Sequence, residues 1–356
     1  MKRLLSLDIL RGLTVAGMIL VNNGGGYVHF YPLTHCPWNG MTPCDLVFPF
    51  FLFIMGLSAY ISLNKTGFKT TGSQIRKIVK RTLLIAIVGW AINWFGWITQ
   101  GDFLPFDNLR IPGVLPRIAL CYCIVSIIAL TVPHRWIPWL AGGLIIVYAV
   151  IVTLGHGYAH DETNILAIVD RAVFGQAHLY RKDVVDPEGL LSSISAVAHT
   201  LIGFWCGKIV MTEPDTKDKV LRLFRLGFVI AALGFLFTYA FPFNKRIWSP
   251  TFVLASCGIA SMLLAWQMHL IDVQGKRQRW QTFFHVFGVN PLFLYVLSEV
   301  LAIVLGNFGL KPYIYKGIEA VIVNPYISSL TYAVLFVLVM FAAGYPLFKR
   351  KIYIKL

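Results

Sequence analysis

The sequence predicts an all-α integral membrane protein, built as a bundle of about ten transmembrane helices. Hydrophobic residues make up 57% of the 356 residues and charged residues only 13%, whereas an average soluble domain has about 25% charged residues. The apolar residues also lie in long uninterrupted windows, as a helix needs in order to cross about 30 Å of hydrocarbon. This composition excludes a soluble domain, a disordered chain and a disulfide-rich secreted scaffold.

Ten windows are long and apolar enough to span a membrane. Seven contain no Asp, Glu, Lys or Arg: 46–63, 82–101, 136–160, 189–207, 226–244, 247–271 and 320–348. Three more are interpreted as spans although charged residues lie in or beside them: 7–23 with Asp8 and Arg11, 118–132 beside Arg117, and 281–305 with Glu299. The windows do not alternate with a period of two, so barrel strands are excluded.

The charged residues predict how the chain is oriented. If both termini are cytoplasmic, 21 of the 31 basic residues fall on the cytoplasmic side. The opposite side then carries eight basic and nine acidic residues and includes the 155–189 loop. This asymmetry is typical of membrane proteins, so the net charge of +15 needs no nucleic-acid partner. We expect residues 1–356 to form a single transmembrane domain in the lipid bilayer.

The densest group of polar residues lies between the first two spans, on the predicted outer side. His35 and Asp45 are ten residues apart, so a short loop can bring the imidazole onto the carboxylate. Such a pair suits a general base, because the carboxylate fixes the tautomer and stabilises the protonated ring. The alternative is a histidine in a solvated loop and an aspartate that caps the second span. Cys36 and Cys44 share this loop and could pair, although their spacing matches no metal or redox motif.

Other polar residues are open to more than one interpretation. Asp8 and Arg11 are spaced for an i, i+3 ion pair, and Glu299 lies deep in a span and needs a partner. Arg110 and Arg117 could bind an anion or anchor the fourth span. There is no Walker loop, zinc-protease motif or nucleophile elbow.

Several motifs, taken in order along nearly the whole chain, resemble the heparan-α-glucosaminide N-acetyltransferase family. The motifs are SLDILRG (6–12), VNNGGG (21–26), HCPWNG (35–40), DLVFP (45–49), RIPGVLPR (110–117), DR (170–171), HLY (178–180), DPEGLL (186–191), NK (244–245), WS (248–249) and GVN (288–290). Their common order makes the resemblance specific, which no single motif would be. The chain is similar to compact bacterial-type members, without the lumenal domain and additional span of the animal enzyme.

The resemblance implies an acetyl-CoA-dependent enzyme that acetylates the amine of a glucosamine-type sugar on the far side of the membrane. His35 corresponds to the family's catalytic histidine, and Asn22 and Asp45 to its neighbours. Arg11 is our choice for an inner contact to the phosphates of acetyl-CoA, because an arginine paired with Asp8 has further guanidinium donors. By resemblance, the residues that line the donor cavity are Asn244, Lys245, Trp248 and Asn290. The residues assigned to the acceptor are Trp38, Asn39, His178, Asp186 and Glu188.

The predicted function is therefore a multi-pass acetyltransferase of the bacterial inner membrane, with a glycan acceptor and no metal. The family resemblance also favours a homodimer, of which the residues themselves give no sign. His35 would deprotonate the acceptor amine, and an acetyl-histidine intermediate is a second route. Two other functions stay open: an envelope polysaccharide O-acetyltransferase, and a secondary transporter, for which ten spans and a buried glutamate are typical.

Overall fold

The computed structural model describes residues 4–180, 183–276 and 278–354, and within them the regular structure is entirely helical. The α-helices are α1 (Leu5–Asn22), α2 (Val47–Asn64), α3 (Gly72–Ile98), α4 (Val114–Thr131), α5 (Ile137–Leu154), α6 (Ile165–Phe174), α7 (Ser193–Thr212), α8 (Thr216–Phe237), α9 (Pro250–Met268), α10 (Arg279–Val289), α11 (Pro291–Asn307), α12 (Leu310–Glu319) and α13 (Pro325–Lys349). Six basic residues used in the charge argument lie outside the described residues: Lys2, Arg3, Arg181, Lys182, Arg277 and Lys355.

The prediction of a membrane bundle with about ten spans is confirmed. Within the described ranges nine helices are long and apolar enough to cross a membrane, and α10 with α11 makes a tenth span if the bent pair is counted as one. Both α3 and α8 begin ten residues before the predicted windows, at Gly72 and Thr216. Their first turns carry lysines and arginines, which a hydropathy window excludes but a helix that extends beyond the hydrocarbon tolerates.

The continuous span predicted over 281–305 is wrong. α10 and α11 meet at an angle of 81° across Asn290, whose backbone is not helical (φ −126°, ψ 57°). Pro291 disfavours the helical conformation of the residue before it and starts the new helix. Both amide atoms of Asn290 bind the C-terminal segment: Nδ2 donates to Ile352 O at 2.9 Å, and Ile354 N donates to Oδ1 at 2.8 Å.

Two short helices, α6 and α12, were not predicted from the sequence. α6 lies in the 155–189 loop and α12 between the last two spans. Every residue of α12 is at least partly exposed, and apolar Leu310, Tyr313 and Ile314 are among its exposed side chains. This pattern is typical of a helix that lies in the membrane interface.

Close helix crossings set the position of α1, which carries Arg11. α1 packs against α10, and each contributes a glycine to the crossing. A Cβ atom on Gly12 would lie 1.7 Å from Phe284 O, and one on Gly288 would lie 1.9 Å from Asp8 O. Only glycine allows the two backbones to approach so closely, as in other membrane helix pairs.

Because the spans alternate in direction, the connection between α1 and α2 lies at the same end of the bundle as every second connection after it. We call this the His35 end. It also carries the segments 99–113, 155–180, 183–192, 238–249 and 308–324. The opposite end carries the start of α1, the α2–α3 connection and the C-terminal segment. Which end faces the cytosol stays a prediction of the charge pattern.

Candidate active site

His35 and Asp45 are in direct contact at the His35 end. Nδ1 of His35 lies 2.8 Å from Oδ1 of Asp45. The carboxylate is 1% exposed and the imidazole 48% exposed, so one side of the ring is held by the protein and the other is open to a ligand. With Nδ1–H donating to Asp45, the lone pair lies on Nε2, as a general base requires.

The local sequence explains why Asp45 is so well fixed. Residues Pro43–Leu46 form a 3₁₀-helix that leads into α2, and Thr42 with Asp45 forms a capping box at its start. Oδ2 of Asp45 accepts from Thr42 N–H at 3.1 Å, Thr42 Oγ1–H at 3.0 Å and Cys36 N–H at 3.1 Å. One oxygen of Asp45 therefore belongs to the cap of this 3₁₀-helix, and the other holds His35.

Two further groups contact the same ring nitrogen. Nζ of Lys245 lies 3.1 Å from Nδ1 of His35 and 3.6 Å from Oδ1 of Asp45. Sγ of Cys44 lies 3.2 Å from Nδ1. Cys36 and Cys44, which could have paired, are both free thiols.

A wall of the site is built by the HCPWNG motif and the 238–249 segment. Nδ2 of Asn244 donates to Oδ1 of Asn39 at 3.2 Å. Nε1 of Trp38 donates to Tyr158 O at 2.9 Å, and its ring stacks on His160 with centroids 4.2 Å apart. Asn39 is exposed and Trp38 partly exposed, so both side chains are accessible from the His35 end.

The remaining residues assigned to the acceptor are used to join loops. Arg110 binds Asp186 through two bonds, of 3.2 and 2.6 Å, and Glu188 through one of 2.7 Å. Burial lowers the pKa of Arg110, but the charges of Glu188 and Asp186 outweigh it and raise that pKa above its usual value. Nδ1 of His178 lies 2.8 Å from Leu109 O. Arg110 is thus an anchor between two loops, and the assignment of these residues to the acceptor stays a prediction.

Asn22 lies in a different contact from the one expected. Its Nδ2 donates to Oε1 of Glu299 at 3.4 Å, which supplies the partner that this intramembrane carboxyl needs. The described contacts of Asn22 do not connect it to His35, and its catalytic role stays a prediction.

A cavity of about 520 Å³ lies between α1, α2, α3, α4 and α11. It contacts α2 from Phe51 to Ala59, about 12 Å of helix, and its polar lining includes Arg11, Ser58 and Arg81. Arg11 donates to Ser58 Oγ at 3.0 Å and to Asp8 Oδ1 at 3.1 Å. The second of these contacts is the ion pair predicted from the sequence. The volume of the cavity is that of an ordinary small-molecule site.

The five residues assigned to the donor are divided by the structure. Arg11 lines the cavity, whereas Asn244 and Lys245 lie beside His35. Trp248 is fully buried, with its ring 5.2 Å from that of Phe48, and Asn290 holds the C-terminal segment, of which Ile354 borders the cavity.

Sequence reasoning missed Ser58, Arg81 and Tyr122 as lining residues. Arg81 lies over the ring of Tyr122, with its guanidinium carbon 4.8 Å from the ring centroid. It was counted only as one of a basic cluster, although its position directly before an apolar window could have indicated a cation at the membrane edge. In the part of the chain that the structure describes, no three His, Cys, Asp or Glu residues are placed to hold a metal.

Comparison with known proteins identifies the family of this chain. A family model described as heparan-alpha-glucosaminide N-acetyltransferase, catalytic, matches residues 3–234. Among curated proteins, the heparan-alpha-glucosaminide N-acetyltransferase of Mus musculus is 28% identical over 365 residues, which cover 84% of this chain and 54% of that protein. The one of Homo sapiens is 29% identical over 366 residues, with 84% and 53% covered.

This chain spans about half the length of the curated relatives it matches. The family model covers Arg11, Asn22, His35 and Asp45 but ends before Lys245. With 232 of the 356 residues matched, from 3 to 234, the chain belongs to the heparan-α-glucosaminide N-acetyltransferase catalytic family.

Proposed function

We propose that this protein is a transmembrane acetyltransferase that moves the acetyl group of cytosolic acetyl-CoA to the amine of a glucosamine-type sugar. His35 is the general base, and the His35 end faces the periplasm of a bacterial inner membrane. The observation that carries the proposal is the 2.8 Å contact between the half-exposed imidazole and the buried carboxylate of Asp45. Family membership supports the same reaction class.

The cavity supports a donor that enters from the opposite end. Its arginines, Arg11 and Arg81, suit the phosphates of acetyl-CoA, and its apolar walls suit the pantetheine arm. Phe51, where the cavity meets α2 nearest the His35 end, is six residues from Asp45, or about 10 Å of chain. An extended pantetheine arm covers that remaining distance.

The chemistry follows from the charge state of the acceptor. An amino sugar binds in part as an ammonium ion, which cannot attack, so Nε2 of His35 takes one proton. The neutral amine then attacks the thioester carbon, the C–N bond forms, and the C–S bond breaks with its electron pair on sulfur. The second amine proton goes to the thiolate, and the imidazolium releases its proton to water. Asp45 stabilises the imidazolium, as a buried carboxylate does in other acid–base sites.

The break between α10 and α11 also resembles the discontinuous helices of secondary transporters, whose half-helix ends bind substrate. Here, however, both amide atoms of Asn290 bind the protein's own C-terminal segment. The break is therefore used to attach that segment beside the cavity, and it does not favour a transporter.

The test is acetyl transfer by purified protein to a panel of amino sugars, N-blocked sugars and hydroxyl acceptors. We expect transfer to free amines only, whereas transfer to N-blocked sugars would indicate the O-acetyltransferase. His35→Ala should still bind acetyl-CoA but transfer at least about 10²-fold more slowly, the usual contribution of a general base.

The matched control is His156→Ala, which removes another exposed loop histidine at the same end and should keep the wild-type rate. Wild-type transfer by His35→Ala at both pH 6.5 and pH 8.5 would eliminate His35 as the base.

A further inference from the structure

Lys245 occupies an unusual position for a residue assigned to a donor cavity. Its Nζ lies 3.1 Å from the ring nitrogen of His35 and 3.6 Å from the carboxylate of Asp45. The side chain is only 17% exposed. Lys245, which lies 200 residues after Asp45 in the sequence, is therefore the third residue in the His35–Asp45 contact.

The geometry creates a competition for one oxygen. Oδ2 of Asp45 is already occupied by Thr42 and Cys36, which leaves Oδ1 for both His35 and Lys245. A lysine ammonium has three donors and no acceptor, so it cannot receive the Nδ1–H bond that Asp45 accepts. It can only share Oδ1, or place its charge beside the ring.

The ammonium is held there by a well-fixed segment. Asn244 is fully buried; its backbone N–H donates to Ser249 Oγ at 3.0 Å, and its Oδ1 accepts from Ile247 N–H at 3.1 Å. Trp248 is also fully buried. The backbone that carries Lys245 is thus fixed between two buried residues, and its side chain lies against His35 and Asp45.

We propose that Lys245 is a positioning residue that keeps the His35 imidazole neutral at the pH at which amino sugars lose their proton. Its positive charge offsets the negative charge of Asp45. The carboxylate therefore orients the ring without favouring the imidazolium before the acceptor binds. Without Lys245, the Asp45 charge would favour an imidazolium, which cannot take the amine proton. This inference rests on the proposed function, since it concerns the same base.

The other titratable groups near the ring do not supply this effect. Cys44, from the same 3₁₀-helix as Asp45, contributes a neutral thiol at 3.2 Å. The thiol of Cys36 donates to Asn39 O at 3.0 Å. Arg246, next to Lys245, is paired with Asp183. Among the residues that the structure describes, Lys245 is thus the cation that contacts the ring.

The test compares Lys245→Met with Lys245→Arg, measuring acetyl transfer from pH 5.5 to pH 9. Methionine keeps most of the stem and removes the charge, so the acid limb of the Lys245→Met profile should move up by about one pH unit. A unit charge 3–4 Å away in partly solvated surroundings changes proton affinity about tenfold. At pH 9 the methionine variant should approach the wild-type rate, and Lys245→Arg should restore the wild-type limb.

Lys316→Met is the control, because Lys316 is an exposed lysine at the same end; its profile should not move. Equal loss at every pH in Lys245→Met, or an unmoved acid limb, would overturn the proposal.

A second readout separates this proposal from the proposed function. The histidine ring can be followed by NMR in ¹⁵N-histidine-labelled protein, with His35→Gln identifying its signal. If wild type transfers no acetyl group to any amine, the proposed function fails, yet the ring must still titrate about one pH unit higher in Lys245→Met. An unchanged titration midpoint would refute the role of Lys245 by itself.

Discussion

At the scale of single residues, Asp170 is a buried carboxylate with an incomplete set of partners. It is fully buried in α6, and its Oδ1 accepts from Leu190 N–H at 2.7 Å. Its Oδ2 has no hydrogen-bond partner among the described residues. Burial raises the pKa of Asp170 to about 6, and Asp186 adds to this, although the Leu190 bond and the charge of Arg117 act in the other direction.

This pKa predicts how stability depends on pH. The ordinary value is 3.8, so the folded protein holds the proton more tightly than the unfolded chain. The contribution of protonated Asp170 to the free energy of unfolding is therefore complete below about pH 3.8. This contribution, about 3 kcal/mol, is lost as the pH rises through about 6. Asp170→Asn should not show this loss, so its unfolding midpoint relative to wild type should rise between pH 5 and pH 7.5.

Thermal unfolding in detergent at the two pH values measures the effect. The same difference between variant and wild type at both values would contradict it. Asp107→Asn, an exchange in an exposed loop residue, is the control.

Contacts near in sequence were predictable, and contacts far apart were not. His35 and Asp45 are ten residues apart, so their residue types and a short loop offered the contact as one of two interpretations, and the family resemblance favoured it. Lys245 approaches the same ring only because α8 and α9 pack as they do, and no local pattern encodes that. Asn22 was expected beside His35, yet the end of α1 turns its amide toward Glu299.

At the scale of helices, the α1–α10 crossing controls the cavity through Arg11. Arg11 precedes Gly12 and donates to Gly288 O at 3.4 Å, so the residues that allow the close approach also position the arginine. Long apolar windows predicted helix in both segments, but they could not predict the 81° break after α10. That break depends on Asn290 and Pro291 and on the C-terminal segment that Asn290 binds.

Gly12→Ala should therefore damage both stability and donor binding. Its Cβ would lie 1.7 Å from Phe284 O, which is backbone and cannot turn away. Overpacking of this kind typically costs about 1–3 kcal/mol, so we expect a lower unfolding midpoint in detergent and weaker binding of acetyl-CoA.

Gly143→Ala in α5 is the matched control, since no atom lies within 4 Å of the added Cβ. It should be neutral or slightly stabilising, because alanine favours a helix over glycine by about 0.5–1 kcal/mol. Equal stability of the two variants would show that the crossing can relax.

At the scale of the whole molecule, the site and the cavity are separated along the bundle axis. His35 lies at one end, while Arg11, Arg81 and Ile354 border the cavity toward the other. Hydropathy predicts the number of spans, and the distribution of lysines and arginines predicts their orientation. The proposal of transfer across the membrane therefore depends on a charge argument that helix packing does not test.

Cysteine labelling tests that orientation directly. Cys36 is partly accessible and could also react with the label. Partial burial and the Asp45 charge raise the pKa of its thiol, so this reaction would be slow. A Cys36→Ser background removes it. Asp161→Cys, at an exposed position of the 155–180 segment, should then react with an impermeant maleimide in intact cells. Lys217→Cys, in the exposed first turn of α8, should react only after permeabilisation. The reverse pattern would put His35 in the cytosol beside its donor. The chain would then acetylate a cytosolic amine, and transfer across the membrane would have to be abandoned even if His35 remained the base.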